Sequence, residues 1–244
     1  MSSSIVIAII ARAGAIGLQS GRMTCSRRWW QFVVEEIAGD GTDVLAKLRH
    51  RTLAAHERLH AFEPFVQLLA GTIRPDAYAG LMAGMLEFYA AFDRMAAEAA
   101  ARFGPSIAPY AYEPRVPHIA ADLRTMGWRD RDEVHRPDER LGMPASAAAL
   151  GGMLYVVDGA TLGGSVLSRH AARLYPAGGP DGYWNWCRAQ GGAQWRTTLA
   201  LLPRLARDRP AMDEMTGSAV DTFAVFEACL TATALPPSTV ARRR

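Results

Sequence analysis

Cysteine is scarce in this chain. Three occur in 244 residues, at Cys25, Cys187 and Cys229. They are odd in number and far apart, so neither a disulfide framework nor a cysteine zinc site is spelled out. A reducing cytoplasm is the expected compartment. The N-terminal apolar run Ile5 to Leu18 is interrupted by Arg12. It offers about 14 residues where a bilayer needs roughly 20, so no membrane span is expected there. Met1–Ser4 carries no positive charge ahead of it, as a secretory signal usually does. There is no convincing strand alternation and no repeat. Also missing are a glycine-rich dinucleotide motif, an iron–sulfur cysteine cluster and a nucleophile-elbow motif. The formal charge is only +3, and its basic residues are scattered apart from Arg27-Arg28 and Arg242–Arg244. That argues against nucleic acid as a partner and suits an acidic ligand or an acidic protein.

What remains is an ordinary globular composition, 50% hydrophobic and 21% charged. Residues 1–41 read as a disordered or over-extended segment, with Met23 an alternative start. From Thr42 the signals are helical. A helix is predicted from Asp43 to Phe62, a short one from Phe65 to Ala70, and a long one opened by Pro75 and ended by Gly104-Pro105. Residues 104–117 hold four prolines and read as loop. Further helices are expected at Pro117–Met126, Ser146–Tyr175, Asp181–Arg207 with a break near Gly191-Gly192, and Pro210–Thr233. The charged stretch 129–140 is a solvated connection. The fold class is all-α, a single helical domain over 42–235, followed by a flexible tail at 236–244.

On the first helix, His56 lies near the middle of the apolar stripe, with Leu45, Arg49, Thr52, Leu59 and His60 on the same side. His50 points away. Such a histidine is either a hydrogen-bonded core residue or a metal ligand, and haem iron suits one neutral imidazole between apolar walls. Arg49, two turns back, either packs its stem at the surface or reaches a carboxylate at the rim of a pocket.

The stretch around Gly151, Gly152, Gly159, Gly163 and Gly164 poses a second question. Each glycine inside a helix costs about 1 kcal/mol relative to alanine, so five would cost roughly 4–5 kcal/mol. Gly152, Gly159 and Gly163 share one face. Another helix packed closely would account for it. So would a planar ligand lying on bare backbone.

"LRHRTLAAHERLHAF" and "LGGMLYVVDGATLGGSVLSRH", in that order, resemble the biliverdin-producing haem oxygenases, especially the bacterial type associated with bacteriophytochromes. "YWNWCRAQGGAQWRTTLALL" and "FAVFEACL" resemble the later helices of that family, so the resemblance spans roughly 43–232. It implies a haem-oxygenase-like helical bundle. His56, in a Thr52-x-x-x-His56 pattern, falls on the axial iron ligand, with His60 the other choice. Gly159 and Gly163 fall on the distal glycines that kink over the haem and position O2. Arg49 and Arg196 fall at basic contacts to the propionates, and Phe223 and Phe226 on the pocket wall. Ala160 stands where mammalian members carry a distal aspartate. Asp158 stands where bacterial relatives often have glutamate, and reads as a hydrogen-bonding group or a proton donor.

The resemblance implies haem as both substrate and cofactor, with biliverdin, Fe2+ and CO as products. It also implies electrons from a ferredoxin, flavodoxin or flavin reductase, and a bacteriophytochrome as a biliverdin acceptor. The alternative is a non-catalytic haem-binding or storage protein of the same shape. Di-iron and thiaminase chemistry fit less well. Glu57-x-x-His60 is a single Glu-x-x-His pair, and neither Cys187 nor Cys229 has an evident base.

Overall fold

A computed structural model of the protein describes residues 42–128, 141–175 and 179–234. The segment 1–41, the charged stretch 129–140 and the tail 236–244 lie outside the described residues. The described chain forms α1 (Thr42–His60), α2 (Glu63–Ala70), α3 (Pro75–Ile107), α4 (Val116–Thr125), α5 (Ala147–Leu174), α6 (Gly182–Leu205) and α7 (Arg209–Ala234), with no strand among the described residues.

Local chemistry sets most of these limits. Prolines open α2, α3 and α4, where a missing N–H costs nothing. Gly71 closes α2 in the left-handed region at φ 71°, its N–H donating to the Leu68 carbonyl. Ser146 caps α5, its hydroxyl accepting from the Ala149 N–H at 3.1 Å.

Two boundaries depart from the sequence expectation. Helix α3 runs through Gly104-Pro105 to Ile107. The proline sits in the last turn, and the Ala108 N–H still closes that turn on the Gly104 carbonyl at 3.0 Å. Helix α6 is unbroken at Gly191-Gly192. A Cβ on Gly191 would lie 3.0 Å from the Thr161 carbonyl oxygen of α5. The glycine is there to let two helices touch, not to end one.

Helix α5 is the centre of the bundle, packed along α6 on one side and α7 on another, while α7 also carries α1 and α3. It is long and apolar enough by length and composition to cross a membrane. Leu154, Val156 and Val157 are instead buried within the bundle, each contributing about 1.5–3 kcal/mol. Phe226, expected at a pocket wall, belongs to this core: its ring lies 4.7 Å from that of Phe88.

The α5 glycines divide between two tasks. A Cβ on Gly152 would come 2.0 Å from the Met215 carbonyl oxygen of α7, and one on Gly164 2.9 Å from Cys187 Sγ of α6. A Cβ on Gly151 would press on Leu205 and Met215 side chains. Close helix packing therefore explains these three, and the bare ligand-facing stripe does not extend back to Gly152. Gly152→Ala is expected to lose stability at the upper end of the about 1–3 kcal/mol typical of overpacking, because backbone rather than a side chain must move. Urea denaturation reads the loss directly.

Candidate functional site

Helices α1 and α5 approach each other where the Thr52 hydroxyl neighbours the Tyr155 phenol, and they make few other backbone approaches. Thr52 is buried and donates its own hydroxyl proton to the Leu48 carbonyl at 2.8 Å. One turn further along α1, on the same face, comes His56. One turn further along α5, on the face of Tyr155, comes Gly159, and then Gly163. Periodicity thus places the imidazole and both glycines on the facing sides of two helices that approach at one point.

His56 is partly buried and stands edge-on to Phe223 of α7, with ring centroids 6.3 Å apart at 86°. Its Nε2 lies 3.2 Å from Nε2 of His60. Burial, then the neighbouring His60, push the His56 pKa down to about 4. Burial lowers that of His60 as well. Both rings are therefore neutral at pH 7.

This has a consequence for stability. The unfolded chain takes up a proton on His56 near pH 6.5, while the folded chain resists until about pH 4. Stability from this group is complete above about pH 6.5 and is lost as pH falls toward 4, because the unfolded state then binds more protons. In the haem-free protein, denaturant midpoints measured at pH 7 and pH 5 should differ less in His56→Gln than in the native sequence.

Arg49 is half-buried two turns before His56. Its Nε is buried without a hydrogen-bond partner. Burial pushes its pKa below the ordinary value while Tyr155 opposes the shift, and a guanidinium remains cationic throughout. A buried donor without a partner is costly, so this guanidinium is suited to pair with an anionic group.

Gly163 has nothing within 4 Å of where a Cβ would stand, and Gly159 has only the rim of the Trp195 indole at 3.5 Å. Tyr155 and Trp195 pack tilted against each other, 5.7 Å between centroids at 47°. The open part of α5 is therefore Gly163, with Trp195 beside Gly159. Arg196 is exposed on α6 next to Trp195. Two surface clefts of about 370 and 420 Å3 lie elsewhere, around Ser146, Glu214 and Asp221.

Behind Gly159 sits a fully buried ion pair, Arg115 with Asp158, at 2.5 Å. The same carboxylate accepts from Tyr110 at 2.9 Å and from Thr198 at 2.5 Å. Arg115 also lies over the ring of Tyr112, 4.3 Å from its centroid. Burial holds the Asp158 carboxyl above the ordinary carboxylate range, and Arg115, Thr198 and Tyr110 offset only part of that shift. The three donors on its two oxygens favour the carboxylate form. Arg115 lies in the proline-rich segment read as plain loop, so nothing in its spacing announced a buried partner for Asp158.

A family model described as "Heme oxygenase" matches residues 42–232, essentially the whole described bundle. The chain belongs to the haem oxygenase family. It is also 32% identical over 126 residues to a "Heme oxygenase" of Xanthomonas campestris pv. campestris (strain 8004), covering 51% of this chain and 72% of that relative. The all-α bundle is that of a haem oxygenase, and the protein is an enzyme that degrades haem to biliverdin. Haem is its substrate. The α1–α5 face fits such a molecule: a neutral imidazole, an orphaned guanidinium nitrogen on the same stripe, and an α5 backbone left uncovered at Gly163.

Proposed function

We propose that haem binds between α1 and α5, with His56 as its axial ligand and the Gly159–Gly163 stretch of α5 over its other face. His56 carries this reading. It is neutral far below physiological pH and walled by Phe223, on the α1 face that turns toward the α5 glycines. A lone pair is therefore available for iron, and thiolate-type chemistry is not needed.

When bound, haem brings the iron and the conjugated ring on which the oxygen chemistry takes place. The chain's own residues position it. Arg49 pairs one propionate, satisfying its orphaned Nε. Arg196, exposed at the edge of α6, holds the other and so fixes the rotation of the ring about its axis. Thr52 lies beside Tyr155 at the α1–α5 junction. The Arg115–Asp158 pair fastens the backbone behind Gly159, so the helix is set before O2 arrives. Ala160 offers no carboxylate to order water, so protons come through water held by backbone and by the surrounding hydroxyls.

The products are biliverdin, Fe2+ and CO. Electrons come from a ferredoxin, flavodoxin or flavin reductase in the cytoplasm, and the bacteriophytochrome-associated type of the family makes a bacteriophytochrome the natural acceptor of biliverdin.

The test is a hemin titration of the purified protein followed by ferredoxin with its reductase. A one-to-one histidine-ligated complex that becomes biliverdin is expected. Gly163→Ala sharpens it. There is room for the methyl group, so the haem-free protein should gain up to about 1 kcal/mol of helix stability. Turnover should nonetheless fall about tenfold or more, since small displacements at a reacting centre are costly. Unchanged turnover would remove Gly163 from the haem face.

A further inference from the structure

The sequence His56-Glu57-Arg58-Leu59-His60 places two histidines one turn apart on one helix face, with a glutamate after the first. That arrangement is the one by which helices present two imidazoles to a zinc ion. The i,i+4 spacing brings the rings within hydrogen-bond reach of each other, so a metal ion would take the place of the proton they share. The two Nε2 atoms lie 3.2 Å apart. Zinc–nitrogen bonds of about 2.0–2.1 Å at a tetrahedral angle put two ligand nitrogens about 3.3–3.4 Å apart, so a small shift of either ring seats an ion. His60 is exposed and His56 partly so, which leaves the pair reachable from solvent.

We propose that His56 and His60 form a chelating pair for a divalent transition-metal ion, and that this ion and haem compete for His56. The ligand class is that of imidazole-preferring ions: Zn2+, Cu2+, Ni2+ and Fe2+. No group of three or more candidate ligands exists among the described residues. The ion therefore keeps water on its remaining positions. This is a reversible two-ligand site, not the three-ligand centre of a metallohydrolase. The chelate stands apart from the haem reading, and only the competition rests on it.

The experiment is calorimetric titration of the haem-free full chain with Zn2+ alone, followed by hemin titration with and without saturating Zn2+. Binding of one ion is expected. His60→Ala and His56→Ala should each weaken it by more than about tenfold, since even outer-sphere partners of a metal ligand cost about 10–100-fold. His60→Gln, which keeps a polar side chain, should weaken it as much. His50→Ala, exposed on the other side of α1, should not. Zn2+ should lower the apparent hemin affinity of the native sequence and do so far less in His60→Ala. Equal Zn2+ affinity in His60→Ala and the native chain would overturn the chelate and leave the haem reading intact. Loss of Zn2+ binding in His56→Ala with an unchanged haem spectrum would uphold the chelate and remove His56 as the axial ligand. Hemin binding indifferent to bound Zn2+ would overturn the competition.

Discussion

His56→Ala is expected to eliminate the histidine-ligated haem spectrum and to lower biliverdin formation by about 100-fold or more. Alanine is the best helix former, so α1 itself should persist. The loss should therefore be one of ligation and not of folding. Circular dichroism of the haem-free variant should match that of the native sequence. His60 is the natural comparison, because its Nε2 lies 3.2 Å from that of His56 and it shares the face. If His60→Ala removed the spectrum and His56→Ala left it intact, the axial ligand would pass to His60. A retained spectrum and retained turnover in both would remove the α1 histidines from the reaction altogether.

The second large effect concerns folding. Asp158→Ala should destabilise the protein by about 3–5 kcal/mol, because it leaves the fully buried Arg115 without its carboxylate. Tyr110 and Thr198 would lose their acceptor at the same time. Arg115→Met alone should cost a similar amount, since the buried carboxylate would then be left with neutral donors. A double replacement, Arg115→Met with Asp158→Leu, should cost much less than the sum, as removing both charges also removes their desolvation. Urea denaturation of the two single variants and the double variant gives the coupling. Additive losses would show that the pair does not act as a unit.

The helical signals were legible because they are local. Prolines at first turns and apolar periodicity put the main helices within a few residues of where they stand. The face of α1 was legible for the same reason: 100° per residue fixes which side chains share a stripe. What the sequence could not settle were meanings that depend on a neighbour. Spacing alone grouped Gly152 with Gly159 and Gly163 on one face of α5. The structure assigns Gly151, Gly152 and Gly164 to close packing and leaves Gly163 uncovered, a distinction made by the carbonyl of Met215 and the sulfur of Cys187. The pair Gly191-Gly192 looked like a break for the same lack of a neighbour. Asp158 was legible as a buried polar group, but its partner Arg115 lies 43 positions away. No periodicity connects a loop arginine to a helix aspartate over that distance. Phe223 and Phe226 are three apart, yet one faces His56 and the other faces Phe88.

Helix α5 is, mechanically, a beam clamped at its abutments. Its early turns are pinned on α7 at Gly152, and at mid-length it touches α6 at Thr161 and Gly164. Between those grips, the flank at Gly163 is left unloaded. Deflection of the rod is thereby confined to one short arc. Strain introduced at that arc cannot relax by sliding the whole member, and stiffening it need not loosen the joints that keep the protein folded.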